Sequence, residues 1–142
     1  AATRLDGCIK AFNKYNVQFL PDIQYEPSMF VMSKGYEAMK NLLDRMENIT
    51  AVFAMSDVMA MGAMRAIKDR GLRIPEDISV VGYDGIELTE YLVTKLTTIR
   101  QNREEIAKRS VDILIDKIEH SGDAVHEIIP FRLITGESTK SL

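Results

Sequence analysis

Apolar residues recur with a helical period over some stretches of this chain and run unbroken over others. Leu5, Cys8, Ile9 and Phe12 repeat every three to four positions, which predicts an amphipathic helix ending near Asn16, ahead of residues 17–20 and the turn-favouring pair Pro21-Asp22. A short extended piece is expected over 23–25. Tyr36, Met39, Leu42, Leu43 and Met46 mark a second helix that stops before Asn48. Residues 51–55 form a continuous apolar run, the pattern of a strand covered on both faces. Ser56-Asp57 then offers N-cap oxygens to a helix running through Val58, Met61, Met64 and Ile67, and Gly71 suits its C-terminal cap.

Ile74-Pro75-Glu76-Asp77 reads as a turn, 78–82 as a second buried strand, Tyr83-Asp84-Gly85 as a loop and 96–99 as a third strand. Ala107, Val111, Leu114, Ile115 and Ile118 give the clearest helix, over 102–122, and 126–134 reads as the last strand. There is no internal repeat, low-complexity tract or linker. Strands alternating with helices of about a dozen residues imply right-handed βαβ units, and so an α/β fold with a doubly wound, mainly parallel sheet. In such sheets ligands bind outside the carboxyl ends of the strands, where Ser56, Asp57 and Asp84 all fall.

Composition narrows the function classes. The 142 residues are 46% hydrophobic and 27% charged, ordinary for one globular core spanning 1–142. With 18 basic against 21 acidic residues, a net charge of −3 and no basic run, the segment lacks the surface for nonspecific binding to nucleic acid or to an anionic membrane. A single cysteine, Cys8, forms no intramolecular disulfide and favours a reducing, cytoplasmic setting. No apolar stretch approaches the ~20 residues of a membrane span, and the first residues do not follow the pattern of a signal peptide. Starting at Ala1 directly ahead of a helical pattern, the chain reads as a piece of something longer.

Each candidate site residue has a structural alternative. A carboxylate at a strand end accepts charge-assisted hydrogen bonds from ligand hydroxyl or amine donors, the role that suits Asp84, although an aspartate before Gly85 equally serves a turn. Ser56 and Asp57 either cap the next helix or meet a ligand. Arg4, at the start of the first helix, has a fork able to clamp vicinal hydroxyls or a carboxylate, or is an ion-paired surface residue. Phe30 either stacks on a ligand ring or belongs to the core. The eight methionines, from Met29 to Met64, read as core filler, and Cys8 as a structural thiol. His120 and His126 flank a turn. There is no Gly-rich phosphate loop, Gly-x-Ser-x-Gly elbow or His-Glu-x-x-His helix, so nothing supports an enzyme, a metal site or a cofactor.

Three segments together carry a resemblance: Ser56-Asp57-Val58-Met59-Ala60-Met61-Gly62-Ala63-Met64-Arg65-Ala66-Ile67, then Gly71-Leu72-Arg73-Ile74-Pro75-Glu76-Asp77-Ile78-Ser79-Val80-Val81-Gly82-Tyr83-Asp84, then Leu96-Thr97-Thr98-Ile99. In this order and spacing they resemble the lactose/galactose-repressor (LacI/GalR) family of bacterial transcription regulators. Arg4-Leu5-Asp6-Gly7 and residues 130–139 extend the likeness over essentially the whole chain.

The resemblance implies the C-terminal part of a two-lobed, periplasmic-binding-protein-like effector domain, with the DNA-binding headpiece and most of the N-terminal lobe missing. It implies a small-molecule effector held between lobes, a sugar being the leading class ahead of purines, nucleosides or a phosphoprotein. It also implies a cytoplasmic homodimer that meets operator DNA only through the missing headpiece. By position, Arg4 and Asp84 match effector-contacting residues, Phe30 an aromatic packed on the effector ring, and Ser56 a position often held by asparagine. Asp57 looks like the helix cap. The family dimer interface would include the helix after Ser56. In the family the helix over 103–119 packs on the other lobe, so here it is expected to expose an apolar stripe, dock non-natively or pair between chains. The alternatives are a periplasmic or extracellular sugar-binding protein of the same fold and, more distantly, a phosphoacceptor receiver domain.

Overall fold

The computed structural model describes residues 2–120 and 125–141. Helix α1 (Ala2–Lys14) is followed by a helical turn α2 (Pro21–Gln24), helix α3 (Met32–Arg45), strand β1 (Ala51–Phe53), helix α4 (Asp57–Asp69) and strand β2 (Ser79–Asp84). A 3₁₀ turn (Glu87–Tyr91), strand β3 (Thr97–Gln101), helix α5 (Arg103–His120) and strand β4 (Phe131–Ile134) complete the order. The four strands form one sheet in the order β1-β2-β3-β4. β1, β2 and β3 run parallel, and β4 returns antiparallel to β3. The chain thus has the mixed α/β, mostly parallel arrangement expected from its alternating periods.

Local chemistry sets the ends of α4. Ser56 stands before it in an extended conformation and its hydroxyl accepts from the Met59 N–H at 3.2 Å, satisfying one of the free donors of the first turn. At the other end Gly71 adopts φ +79°, which lets the Leu72 N–H reach the Ile67 carbonyl at 3.1 Å and its own N–H reach Lys68 at 2.9 Å. That paired closure requires a left-handed residue, hence glycine.

α3 and α4 cross at backbone contact, because Gly35 lies against Met59 and Gly62 against Met32 and Tyr36, with no room for a Cβ at either glycine. Behind them Met39, Ala60, Ile67, Ile78, Val80 and Leu96 form the core between α4 and the sheet. The chain end closes the sheet from below. Buried Ser138 donates to the Val80 carbonyl at 2.6 Å and accepts from the Thr97 N–H at 2.8 Å, joining β2 to β3.

The structure corrects several expected boundaries. Pro21 starts a helical turn in place of the extended piece over 23–25; Gln24 turns back to accept from the Leu20 N–H at 2.7 Å, and only Tyr25 is extended. The strand over 51–55 shortens to Ala51–Phe53 and is not covered on both faces, since Ala51 is exposed and Val52 and Phe53 are only partly buried. β2 runs on through Tyr83 and Asp84, which the sequence suggested were loop. The strand over 126–134 keeps only its last four residues, because Phe131 already faces Gln101, where β3 ends and α5 begins. No β3 residue remains to pair with the part before Pro130, and proline has no N–H to offer a ladder.

α5 follows the expected helix, and the final residues of the 102–122 stretch lie outside the described residues. It has no buried residue. Ile106, Val111, Leu114, Ile115 and Ile118 are all exposed, in keeping with the expected apolar stripe.

Candidate functional site at the strand ends

Asp84 is the last residue of β2 and holds φ +119°, a backbone region that side-chain-bearing residues rarely occupy, at a cost of about 1–3 kcal/mol. Its carboxylate Oδ1 accepts from Arg4 Nη2 at 2.9 Å and from Gln101 Nε2 at 2.9 Å. Gln101 is there because β2 and β3 pair in parallel with Asp84 opposite Arg100, so the next residue of β3 stands at the same sheet edge. Arg4 arrives from the first turns of α1. Its Nη1 donates to the Met55 carbonyl just beyond β1, and its guanidinium lies over the Tyr83 ring at 4.0 Å and the Phe30 ring at 5.7 Å.

Three sequence candidates, Arg4, Phe30 and Asp84, therefore meet in one place at the carboxyl ends of the parallel strands. The Arg4 and Asp84 side chains are about one-quarter exposed, enough for a ligand to reach them and little enough to strengthen charge-assisted bonds. Both protein donors meet Oδ1 of Asp84, which leaves its second oxygen as the natural acceptor for an incoming hydroxyl or N–H. Arg4 supplies a planar fork of donors lying over two aromatic faces, Tyr83 at 4.0 Å and Phe30 at 5.7 Å. A carboxylate, a guanidinium, a side-chain amide and two aromatic rings suit a polyhydroxylated ring with one flat apolar face.

Ser56 takes the cap expected of Asp57, and Asp57 takes neither expected role. Ser56 is buried and its hydroxyl is the N-cap of α4. Asp57 is not the cap. Its fully buried carboxylate turns into the sheet, where Thr98 Oγ1 donates to Oδ1 at 2.5 Å and the Ile86 N–H to Oδ2 at 2.8 Å. Burial is the main influence on this carboxyl and pushes its pKa above the ordinary value against the pull of those donors; the charge of nearby Asp84 adds in the same direction. Gly82 makes room for it, since a Cβ on β2 at this point would strike Oδ1.

Sequence reading missed Tyr83, Gln101 and the Met55 carbonyl. The strand-end rule that singled out Asp84 applies equally to Gln101, but that signal needs the β2–β3 register, which a sequence does not print. Beside the cluster lies a cavity of about 660 Å³ between α1, α3 and β1. Leu5, Cys8, Phe12, Phe19, Phe53 and Leu42 are among its apolar walls. It shares Phe30 and Met55 with the cluster, whereas Arg4, Tyr83, Asp84 and Gln101 do not line it. Burial raises the pKa of Cys8, which disfavours a nucleophilic thiolate. Among the described residues no three His, Cys, Asp or Glu side chains converge as metal ligands, and no helix is long and apolar enough to cross a membrane.

A family model for the periplasmic binding protein-like domain matches residues 1–139. The chain belongs to that family. Among curated proteins, an HTH-type transcriptional repressor PurR of Pasteurella multocida is 41% identical over 143 residues, covering 99% of this chain and 42% of the repressor. Among solved structures, a transcriptional regulator CelR in complex with cellobiose superposes with a TM-score of 0.91 at 31% identity, over 95% of this chain and 41% of that one. A lac repressor dimer bound to operator and the anti-inducer ONPF gives 0.88 at 30% identity, over 99% of this chain and 48% of that one. The similarities of this periplasmic-binding-protein-like chain thus fall on transcription regulators of LacI type, and it spans about two-fifths of the length of the curated relatives it matches.

Proposed function

We propose that this chain is the effector-sensing and dimerisation part of a bacterial transcription regulator. In this reading a small molecule, a sugar as the leading class, binds at Arg4, Phe30 and Asp84, while Ser56, the fourth candidate contact, is buried and serves as helix cap. The observation that carries it is the Arg4–Asp84–Gln101 cluster framed by Phe30 and Tyr83, at the strand ends of a fold whose relatives are named as regulators. A solved relative holding cellobiose favours a sugar. Those regulator relatives also favour this reading over a periplasmic sugar-binding protein of the same fold.

The mechanism is a shift between lobe arrangements. An effector that contacts Arg4 and Asp84 on this lobe and further groups on a second lobe binds the closed arrangement better than the open one, and only that difference in affinity changes operator binding. The exposed stripe of α5 is the face onto which the second lobe packs. A homodimer is supported by exposed Leu88, Tyr91 and Val93 around the 3₁₀ turn and by the dimeric lac repressor relative. α4 itself is mostly buried beneath α3, with Arg65, Lys68 and Asp69 on its open side, so it adds polar rather than apolar surface to such an interface. A regulator of this kind works in the cytoplasm and meets DNA through a separate headpiece.

The test is a thermal-shift screen of the chain extended upstream to restore both lobes, against sugars, sugar phosphates, nucleosides and purines, with Asp84→Ala in parallel. A ligand at a hundred times its dissociation constant stabilises the native state by ~2.7 kcal/mol. A hit that Asp84→Ala abolishes supports effector sensing here; a screen without hits, or one indifferent to Asp84, overturns it.

A further inference from the structure

Asp84 reaches Arg4 and Gln101 from a backbone held at φ +119°, and Gly85 after it is also left-handed at φ +67°. Two consecutive residues in that region need an external restraint, since an aspartate released from it relaxes to ordinary dihedrals and its carboxylate swings away. The restraint is visible on the inner side of the loop. The Ile86 N–H, two residues past Asp84, donates to Asp57 Oδ2 at 2.8 Å. The other oxygen of Asp57 is anchored on β3 by Thr98 Oγ1 at 2.5 Å. Gly82, two residues before Asp84, leaves the space in which this carboxylate sits, and Gly85 lies against Arg100 with no room for a side chain. One buried carboxylate thus ties the start of α4, the exit of β2 and the middle of β3 directly behind the proposed ligand-facing residue.

We propose that Asp57 is the positioning residue of this site: bridging Thr98 and the Ile86 N–H, it fixes the left-handed backbone that aims the Asp84 carboxylate at Arg4 and Gln101. The inference deepens the effector-site reading and rests on it for its functional meaning. Asp57 is fully buried. It acts through Asp84, and an alanine in its place removes both acceptors, whereas an asparagine keeps both links, its oxygen accepting from the Ile86 N–H and its N–H₂ donating to the Thr98 hydroxyl.

The test uses the full-length protein without effector, labelled with ¹⁵N at arginine, and reads solvent exchange of the Arg4 Nη protons, assigned by their loss in Arg4→Lys. Removing a charge-assisted hydrogen bond speeds this exchange about tenfold or more. Asp84→Ala sets that limit. Asp57→Ala and Thr98→Val are expected to speed exchange towards the same limit, and Asp57→Ala to add nothing once Asp84 is alanine. Val80→Ala, which weakens the core without touching the loop, is expected to lower the melting temperature and leave Arg4 exchange unchanged. Should Asp57→Ala not fold, Thr98→Val carries the test alone. Arg4 exchange unaltered by Thr98→Val, effects of Asp57 and Asp84 that simply add, or free-arginine exchange in the parent protein would each overturn the proposal. Because no effector is present, these outcomes are independent of the ligand screen, so a failure here and a failure of the effector reading are told apart.

Discussion

Arg4 Nη2 and Asp84 Oδ1 stand 2.9 Å apart across eighty positions of sequence, and the same guanidinium holds the Met55 carbonyl through Nη1. One planar fork joins α1 to the exits of both β1 and β2. A lysine carries its charge at a single nitrogen and cannot span the two acceptors. Arg4→Lys is therefore expected to cost about 1 kcal/mol of stability, read as a lower urea midpoint, although the net charge is unchanged.

The α3–α4 crossing depends on glycine for space. A Cβ at Gly62 would meet the Met32 carbonyl and the Tyr36 N–H, which are rigid backbone and cannot move aside as a flexible side chain would. Gly62→Ala is expected to lose about 2–3 kcal/mol by forcing the helices apart, despite the higher helix propensity of alanine. Equilibrium unfolding in urea checks this, and an unchanged or raised midpoint contradicts it.

Ser138 is fully buried and its hydroxyl both donates and accepts. Ser138→Ala leaves the Thr97 N–H and the Val80 carbonyl short of a partner in the interior. Such a loss costs about 1–3 kcal/mol, and amide exchange should show it first at Thr97.

Asp77 accepts from the Arg73 side chain at 2.9 and 3.0 Å and from the Arg73 N–H at 2.8 Å. The Arg73 side chain is the main cause that lowers its pKa from 3.8 to about 2. A carboxylate lowered on folding contributes stability that is complete above pH 3.8 and is lost as pH falls towards 2. Asp77→Asn is therefore expected to flatten the acid limb of the stability profile in that window, and a ¹³C titration of the Asp77 carboxyl should show its midpoint near 2. Asp57 works in the opposite sense. Its raised pKa stabilises the fold most below the ordinary carboxylate value and loses that contribution as pH rises through the folded value.

The outer face of α5 carries Leu114 at 59% and Ile118 at 74% exposure. Apolar stripes of this kind drive association when left uncovered. Leu114→Asp with Ile118→Asp is expected to reduce self-association of this 142-residue chain in sedimentation velocity while leaving helix content unchanged, because both side chains already face solvent.

Much of this protein was legible because its signals are local. Periodicity located α1, α3, α4 and α5, the Ser56-Asp57 pair and Gly71 delimited α4 through local capping chemistry, and the strand-end rule singled out Asp84. Misplaced boundaries arose where a partner decides. Whether residues 126–130 join a strand depends on where β3 stops, and whether β1 is covered on both faces depends on which distant elements pack against those faces. Neither is encoded in the segment itself.

The site divides in the same way. Sequence by itself determined the residue types at the strand ends, because a carboxylate after an apolar strand and a hydroxyl before a helix do their chemistry within a few positions of the chain. Only the tertiary structure decided that Arg4 lies over the rings of Tyr83 and Phe30, that Gln101 shares the Asp84 oxygen, and that Ser56 rather than Asp57 caps α4. Asp57 had no local partner to reveal its role: Thr98 and Ile86 lie 41 and 29 positions away, and they meet its carboxylate only because parallel pairing of β2 and β3 brings them beneath α4.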